Sequence, residues 1–244
     1  MNKKFLINRI LELAQINKEG HIPSSLSILD ILYNIYSIIQ PKDRFILSKG
    51  HAALGLYVIL EHFKKIDPVL LNNFCSFDSH FGGHPCSNIS VIEASTGSLG
   101  HGFPIAVGMA LAKKIKKEEG KIYVVIGDGE CNEGTIWESA LLASHHNLDN
   151  LYCFLDYNRS GDRAVKLDNI EDKFVSFNWN TSNINGHDHN QLQLFICNNK
   201  NNPKPNIAIC NTIKGYGIPI MENNPEWHHK IPKDKELLFT IERL

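Results

Sequence analysis

The chain has 244 residues, 43% apolar and 21% charged, enough for one large domain that needs no disulfide or metal staple to fold. Its 25 Lys and Arg against 26 Asp and Glu leave no basic excess, which argues against a nucleic-acid binder. No run reaches the ~18 uninterrupted apolar residues of a membrane span, since Asp30 and Asn34 break even Leu26 to Ile39.

The N-terminal segment has the lysines of a secretory signal but no apolar core, because Asn8, Arg9 and Glu12 interrupt it. Residues 3–16 therefore predict an amphipathic helix, and 26–39 a second one. After a Gly- and His-rich segment, residues 104–117 predict another, with Pro104 in its first turn. Ile122 to Ile126 is a short β-branched run of the kind found in buried strands. Trp137, Ala140, Leu141 and Leu148 follow as a helical stripe, and Leu151 to Leu155 reads as a second buried strand. Asn198 to Pro205 is polar enough for a surface loop, and Ile207 to Cys210 suits a third strand. This alternation implies an α/β fold: a doubly wound, mostly parallel sheet with helices on both faces, in a single domain over 1–244. Six cysteines without a CxxC pair suit free thiols in a reducing, cytoplasmic setting.

The first expected strand ends in Gly127-Asp128-Gly129 and the second in Asp156-Tyr157-Asn158. In a parallel sheet both ends lie at the carboxyl edge, where ligands bind. Asp128 and Asn158 offer hard oxygens that suit Mg²⁺, and Gly129 removes the Cβ that would hold a diphosphate off the backbone. The helix beyond presents free N–H groups to an anion. Three His pairs, His145-His146, His187-x-His189 and His228-His229, raise the question of zinc. None shows HExxH spacing or sits near a cysteine pair. His145 and His146 fall late in a helix and complement its dipole. His187 and His189 read as solvated residues of a turn, and Trp137 as core.

The order of several words resembles transketolases: KEGHIPSSLSILDILYNIY, DRFILSKGHAALGLY, GGHP, EASTGSLGHGFPIAVGMALA, GDGECNEGTIWESALLASHHNLDNL, NINGHDHNQL and TIKGYG…ENNPEWHH. The likeness is greatest to separate transketolase N-terminal subunits, and it implies the thiamine-diphosphate-binding fold of the diphosphate type. It implies that Asp128, Asn158 and the carbonyl of Ser160 hold Mg²⁺, and that Gly129 meets the diphosphate of thiamine diphosphate. His51 and His229 would lie near that diphosphate and the reacting centre. Gly97 and Leu99 would touch the pyrimidine and thiazolium region. His21 and His84 would bind the hydroxyls of a ketose, with His21, His84 and His229 as the catalytic set. Glu133, beside the cofactor, and Glu138 would join a carboxylate network at a subunit interface.

The chain departs from the family in three places. His101 stands where single-chain transketolases usually have Gln, RSGDRAVKL after Asn158 lacks the usual Asp-Gly-x-Thr, and Lys230 follows His229 where Gly is usual. That last difference leaves His228 and His229 both open as the active-site histidine. The pyrimidine-type and C-terminal domains are expected on a partner chain that supplies the activating glutamate, in a complex of two copies of each. The implied reaction moves a two-carbon ketol unit from a sugar or sugar-phosphate donor to an aldehyde acceptor. A decarboxylating subunit acting on a 2-oxo acid, of deoxyxylulose-phosphate synthase or E1 type, is the alternative enzyme. A non-catalytic structural or regulatory subunit is the alternative outside enzymes.

Overall fold

The computed structural model describes residues 2–233. In chain order its elements are α1 (Lys3–Asn17), α2 (Ile22–Ser27), α3 (Leu29–Ile38), β1 (Arg44–Leu47), α4 (Ala53–His62), α5 (Pro68–Leu71), α6 (Gly102–Lys116), β2 (Ile122–Gly127), α7 (Gly134–His145), β3 (Leu151–Tyr157), α8 (Ile170–Ser176), β4 (Asn180–Asn185), α9 (His189–Asn198) and β5 (Asn206–Asn211). The five strands are all parallel, in the order β1-β2-β3-β5-β4.

Side chains alternate along the strands, so each strand feeds two cores. Phe45, Tyr123, Val125, Tyr152, Phe154 and Ala208 face one layer, which holds α1, α3, α4 and α9. Ile46, Val124, Ile126, Cys153, Leu155 and Ile209 face the other, which holds α6, α7 and α8. The doubly wound architecture expected from the sequence is present.

Several local expectations are corrected. The stretch 26–39 is not one helix: the chain breaks at Ile28, and the first piece, α2, starts earlier with Pro23 in its first turn. That break seats Ser24, Ser25 and Ser27 in the interior beneath the strand ends. In the expected stripe, Leu141 faces outward at 59% exposed, and Leu148 lies beyond α7, buried just before β3. His189 opens α9, and Asn198 closes it instead of starting the loop. Strands β1 and β4 were not expected: β1 has four residues, and β4 is the polar edge sequence NTSNIN.

Register places Gly127 beside Asp156 and Asp156 beside Cys210, so the turns after β2, β3 and β5 sit side by side at the carboxyl edge. Asp128, Gly129 and Asn158 stand in the turns at this edge.

Candidate functional site

The chain leaves β2 through a 3₁₀ turn, Asp128–Asn132. Asp128 is buried; its Oδ1 accepts the Gly129 N–H at 2.7 Å, while its Oδ2 has no hydrogen-bond partner among the described residues. A buried, unpartnered carboxylate oxygen is costly, and a bound cation is one partner that would satisfy it. Burial, then the nearby Asp156, push this carboxyl above the ordinary range, with the Gly161 and Gly129 N–H groups and Lys49 pulling the other way. Asn158, also buried, donates its amide to Asp156 Oδ2 at 2.9 Å. Its Oδ1 accepts the Ser160 N–H at 3.0 Å, which leaves a lone pair free. A Cβ added to Gly129 would meet nothing within 4 Å, so open space fronts that backbone. A Cβ on Gly161 would come 2.9 Å from the Gly129 nitrogen, so the turns after β2 and β3 touch. The donor set of one carboxylate, one amide and a neighbouring backbone carbonyl fits Mg²⁺ with a diphosphate.

Three residues that sequence reasoning gave no role hold this arrangement. Asp156 is fully buried and ion-paired with buried Lys49; it accepts hydrogen bonds from Ser27 Oγ at 2.7 Å and from Thr212 Oγ1. Because Asp156 takes the amide nitrogen of Asn158, the amide oxygen is left to face the other way. Glu130 Oε2 accepts the Gly127 N–H at 2.9 Å, and its Oε1 accepts Ser48 Oγ at 2.7 Å and the Gly100 N–H at 2.9 Å. It ties the ends of β1 and β2 to the loop before α6. A charged residue at the end of an otherwise apolar buried strand was the available signal.

The histidines form a cluster centred on His21, whose ring lies 5.4 Å from His51, 6.4 Å from His84, 5.2 Å from His228 and 4.5 Å from His229. Burial first, then the neighbouring rings of His229, His228 and His84, lower the His21 pKa to about 4. Burial and then Lys49 lower that of His51 to about 2. His229 Nε2 lies 2.6 Å from Glu19 Oε1, and His228 Nδ1 lies 2.9 Å from Lys214 Nζ. A cavity of about 550 Å³ opens beside them, and Asn158, Ser160, Arg163, Lys214 and His228 line it.

His187 requires a correction. Instead of being solvated in a turn, its side chain is 5% exposed, stacked on Tyr216 at 3.6 Å, with Nδ1 2.8 Å from Asp30 Oδ2. The Ile213 N–H donates to its Nε2 at 2.9 Å, so Nδ1 carries the hydrogen and donates to Asp30. It acts on the loop after β5.

The remaining expected residues sit at the open side. Gly97 lies against His84, where an added Cβ would be 3.3 Å from the ring. Gly97, Leu99, Glu133, Glu138 and His84 are exposed, as is His101, whose Nδ1 is 3.0 Å from the Leu99 carbonyl.

Comparison with known proteins identifies the family. The family described as "Transketolase, thiamine diphosphate binding domain" matches residues 6–243. The sequence is 37% identical over 240 residues to an apulose-4-phosphate transketolase subunit from Phocaeicola vulgatus, covering 92% of this chain and 85% of that protein. It is 36% identical over 241 residues to a 6-deoxy-6-sulfo-D-fructose transketolase subunit from a Clostridium species, covering 91% of this chain and 87% of that protein. Among solved structures, the transketolase of Campylobacter jejuni superposes with a TM-score of 0.89 at 25% identity. The match covers 98% of this chain and 41% of that one, so the chain spans less than half the length of that transketolase.

Proposed function

The chain belongs to the thiamine-diphosphate-binding domain family of transketolases, and from that premise we propose that it works with a partner chain as a ketol-transferring enzyme. The donor is a ketose and the acceptor an aldehyde. The observation that carries this reading is one edge of one sheet bearing both an unpartnered buried carboxylate oxygen on Asp128 and a cluster of five histidines.

Asp128, Asn158 and the Ser160 carbonyl would hold Mg²⁺, and Gly129 and His51 would lie against the diphosphate. Gly97 and Leu99 would meet the pyrimidine and thiazolium side. When bound, thiamine diphosphate supplies the nucleophilic carbon and electron sink that C–C cleavage needs. The protein positions the sugar and moves its protons. Because His21 and His51 are held neutral, each ring can donate through one nitrogen and accept through the other. His21 and His84 would bind donor hydroxyls. His229, fixed by Glu19, would complete the set on the sugar side.

A C-terminal-type partner subunit would supply the activating glutamate and close the open side. Exposed Leu99, Ile105, Leu141 and Leu142, with Glu133 and Glu138 on the same side of the sheet, support an assembly of two copies of each chain. Relatives named for apulose-4-phosphate and for 6-deoxy-6-sulfo-D-fructose support sugars as substrates. No helix among the described residues is long and apolar enough to cross a membrane, and the six free cysteines support a cytoplasmic setting.

A coupled assay on the reconstituted pair tests the reading, with ketose phosphates, hydroxypyruvate as control, and pyruvate. Ketose turnover is expected. Release of CO₂ from pyruvate while every ketose is ignored would overturn the donor assignment in favour of a 2-oxo acid.

A further inference from the structure

A second cavity, of about 820 Å³, opens at the amino edge of the sheet, opposite the turns that carry Asp128 and Asn158. The six residues of β2 separate the two edges, about 20 Å at roughly 3.3 Å per residue. Sheets of this kind bind their ligands at the carboxyl edge, so the fold by itself does not call for a cavity here. Its apolar walls are Ile38 at the end of α3, Pro41, Tyr123 of β2 and Ile196 of α9. Gly120, at a φ of +105°, keeps the turn before β2 tight, because a Cβ there would collide with the Lys42 carbonyl.

The charges around this cavity do not cancel. Asp43 is spent on the backbone: its Oδ1 accepts the Lys121 N–H at 2.7 Å and its Oδ2 the Gln40 N–H at 2.9 Å. Glu119 is paired with Lys42 at 2.7 Å, both of them exposed. Lys121 and Lys200 remain, and neither makes an ion pair among the described residues. Burial, and then the charge of Lys200, lower the Lys121 pKa, with Asp43 pulling the other way. The hydroxyl of Tyr152 accepts from Lys121 Nζ at 3.2 Å and donates to the Asn199 carbonyl at 2.8 Å, so it is fully used. Tyr123 differs. It is 2% exposed and lines the cavity, yet its hydroxyl has no hydrogen-bond partner among the described residues. Burial, then Asp43, Tyr152 and Cys197, raise its pKa above the ordinary phenol value, so it keeps a hydrogen to donate. A buried donor without an acceptor is costly.

We propose that this cavity is a second binding site, for a small organic anion with an apolar body. The Tyr123 hydroxyl donates to the anionic head, and Lys121 and Lys200 supply the counter-charge. Ile38, Pro41 and Ile196 cover the body. The volume suits a ligand of cofactor size. A free sugar fits poorly, because its hydroxyls would find few polar partners on these walls, and a bare inorganic anion would leave the walls uncovered. Phosphate and carboxylate heads share the required chemistry, since both accept from a hydroxyl and an ammonium. The site is separate from the carboxyl edge and does not depend on what binds there.

The test uses the full-length chain, with 1-naphthyl phosphate and 1-naphthoate as probes and neutral 1-naphthol as control. Calorimetry measures binding, and circular dichroism verifies folding. Cys197, exposed and lining the cavity, reports the place: peptide mass mapping follows its alkylation by iodoacetamide. The expectation is a Kd below about 1 mM for at least one anion, with Cys197 protected when it is bound. Tyr123→Phe should bind at least about tenfold more weakly, as for loss of a hydrogen bond to a charged group. Lys200→Met, a change at an exposed residue, should weaken binding by about threefold. The better-bound anion identifies the head. Absence of binding by both anions, 1-naphthol binding as tightly as they do, an unprotected Cys197, or unchanged affinity in folded Tyr123→Phe overturns the proposal. Should Tyr123→Phe not fold, unchanged affinity in Lys200→Met overturns it instead. So does displacement of the probe by inorganic diphosphate with Mg²⁺, which would place it at the carboxyl edge.

Discussion

The turn after β3 and the loop before α6 both meet the turn after β2, yet they are built on opposite principles. Around Asp156, Lys49 and Glu130 the polar groups are buried and bonded to one another within this chain. Around Gly97, Leu99, His84 and Glu133 the side chains stand exposed. The first region is finished in advance: the neighbours that orient Asn158 belong to this polypeptide, and Asp128 Oδ2 is left without a hydrogen-bond partner among the described residues. The second is open in this chain, with Leu99 40% exposed, and on the assembly proposed above a partner would cover it. The difference teaches where a divided enzyme is divided. The groups that fix a metal and a diphosphate must be rigid before the ligand arrives, whereas the groups around the reacting carbon can be completed by assembly.

The comparison is broken most severely at Asp156. Replacing it with Asn leaves the buried Lys49 ammonium without its counter-charge, and breaking such a pair costs about 3–5 kcal/mol. Chemical denaturation should show a loss of that order. A change below about 1 kcal/mol would mean the ion pair does not organise the finished region.

Asp128 should behave in the opposite sense. Its raised pKa means that, in the metal-free chain, the charged form is disfavoured by folding. Stability is therefore present below the ordinary carboxylate pKa and is lost as pH rises through the raised folded-state value. Asp128→Asn should relieve that penalty at pH 7, raising metal-free stability by about 1–3 kcal/mol, the cost of an unsatisfied buried acceptor. Thermal melts in chelator provide the measurement. A destabilised Asp128→Asn variant would show that the oxygen already has a satisfactory environment.

At the open region, His84→Ala should lower ketose turnover by at least about tenfold with little change in cofactor binding, as for a positioned hydrogen-bonding or proton-transferring group. Equal loss of cofactor affinity would assign His84 to the finished region instead.

The smallest effect is on acid stability. His21 and His51 have depressed folded-state values, so their contribution is present above about 6.5 and is lost as pH falls toward about 4 for His21, with His51 extending the trend. His21→Gln should lose less stability than wild type between pH 7 and pH 5. Parallel losses would show that the cluster takes up its protons without strain.

The two regions also differed in how far the sequence revealed them. Strands β2 and β3 were legible because Ile122 to Ile126 and Leu151 to Leu155 are buried on both faces and carry no polar interruption. Strand β4 was not, because an edge strand covered on few sides can read NTSNIN, with only half-buried Ile184 to mark it. Asp128, Asn158 and Gly129 stood out through their place at strand ends. Asp156 carried a signal only in its place at the end of an apolar strand, and its partner Lys49, 107 positions away, did not stand out until the sheet joined the two. His187 failed for the same reason: Asp30, 157 positions away, turns an apparent loop histidine into a buried one.

The most direct measurement is a titration of thiamine diphosphate into the chain co-purified with its partner, with Mg²⁺ and then with chelator, for wild type and Asp128→Ala. The expected result is binding that requires the cation and that weakens at least tenfold in the variant, about 1.4 kcal/mol or more. Equal affinity in chelator, or an Asp128→Ala variant that binds as wild type does, would contradict the assignment of this sheet edge as the metal and diphosphate site.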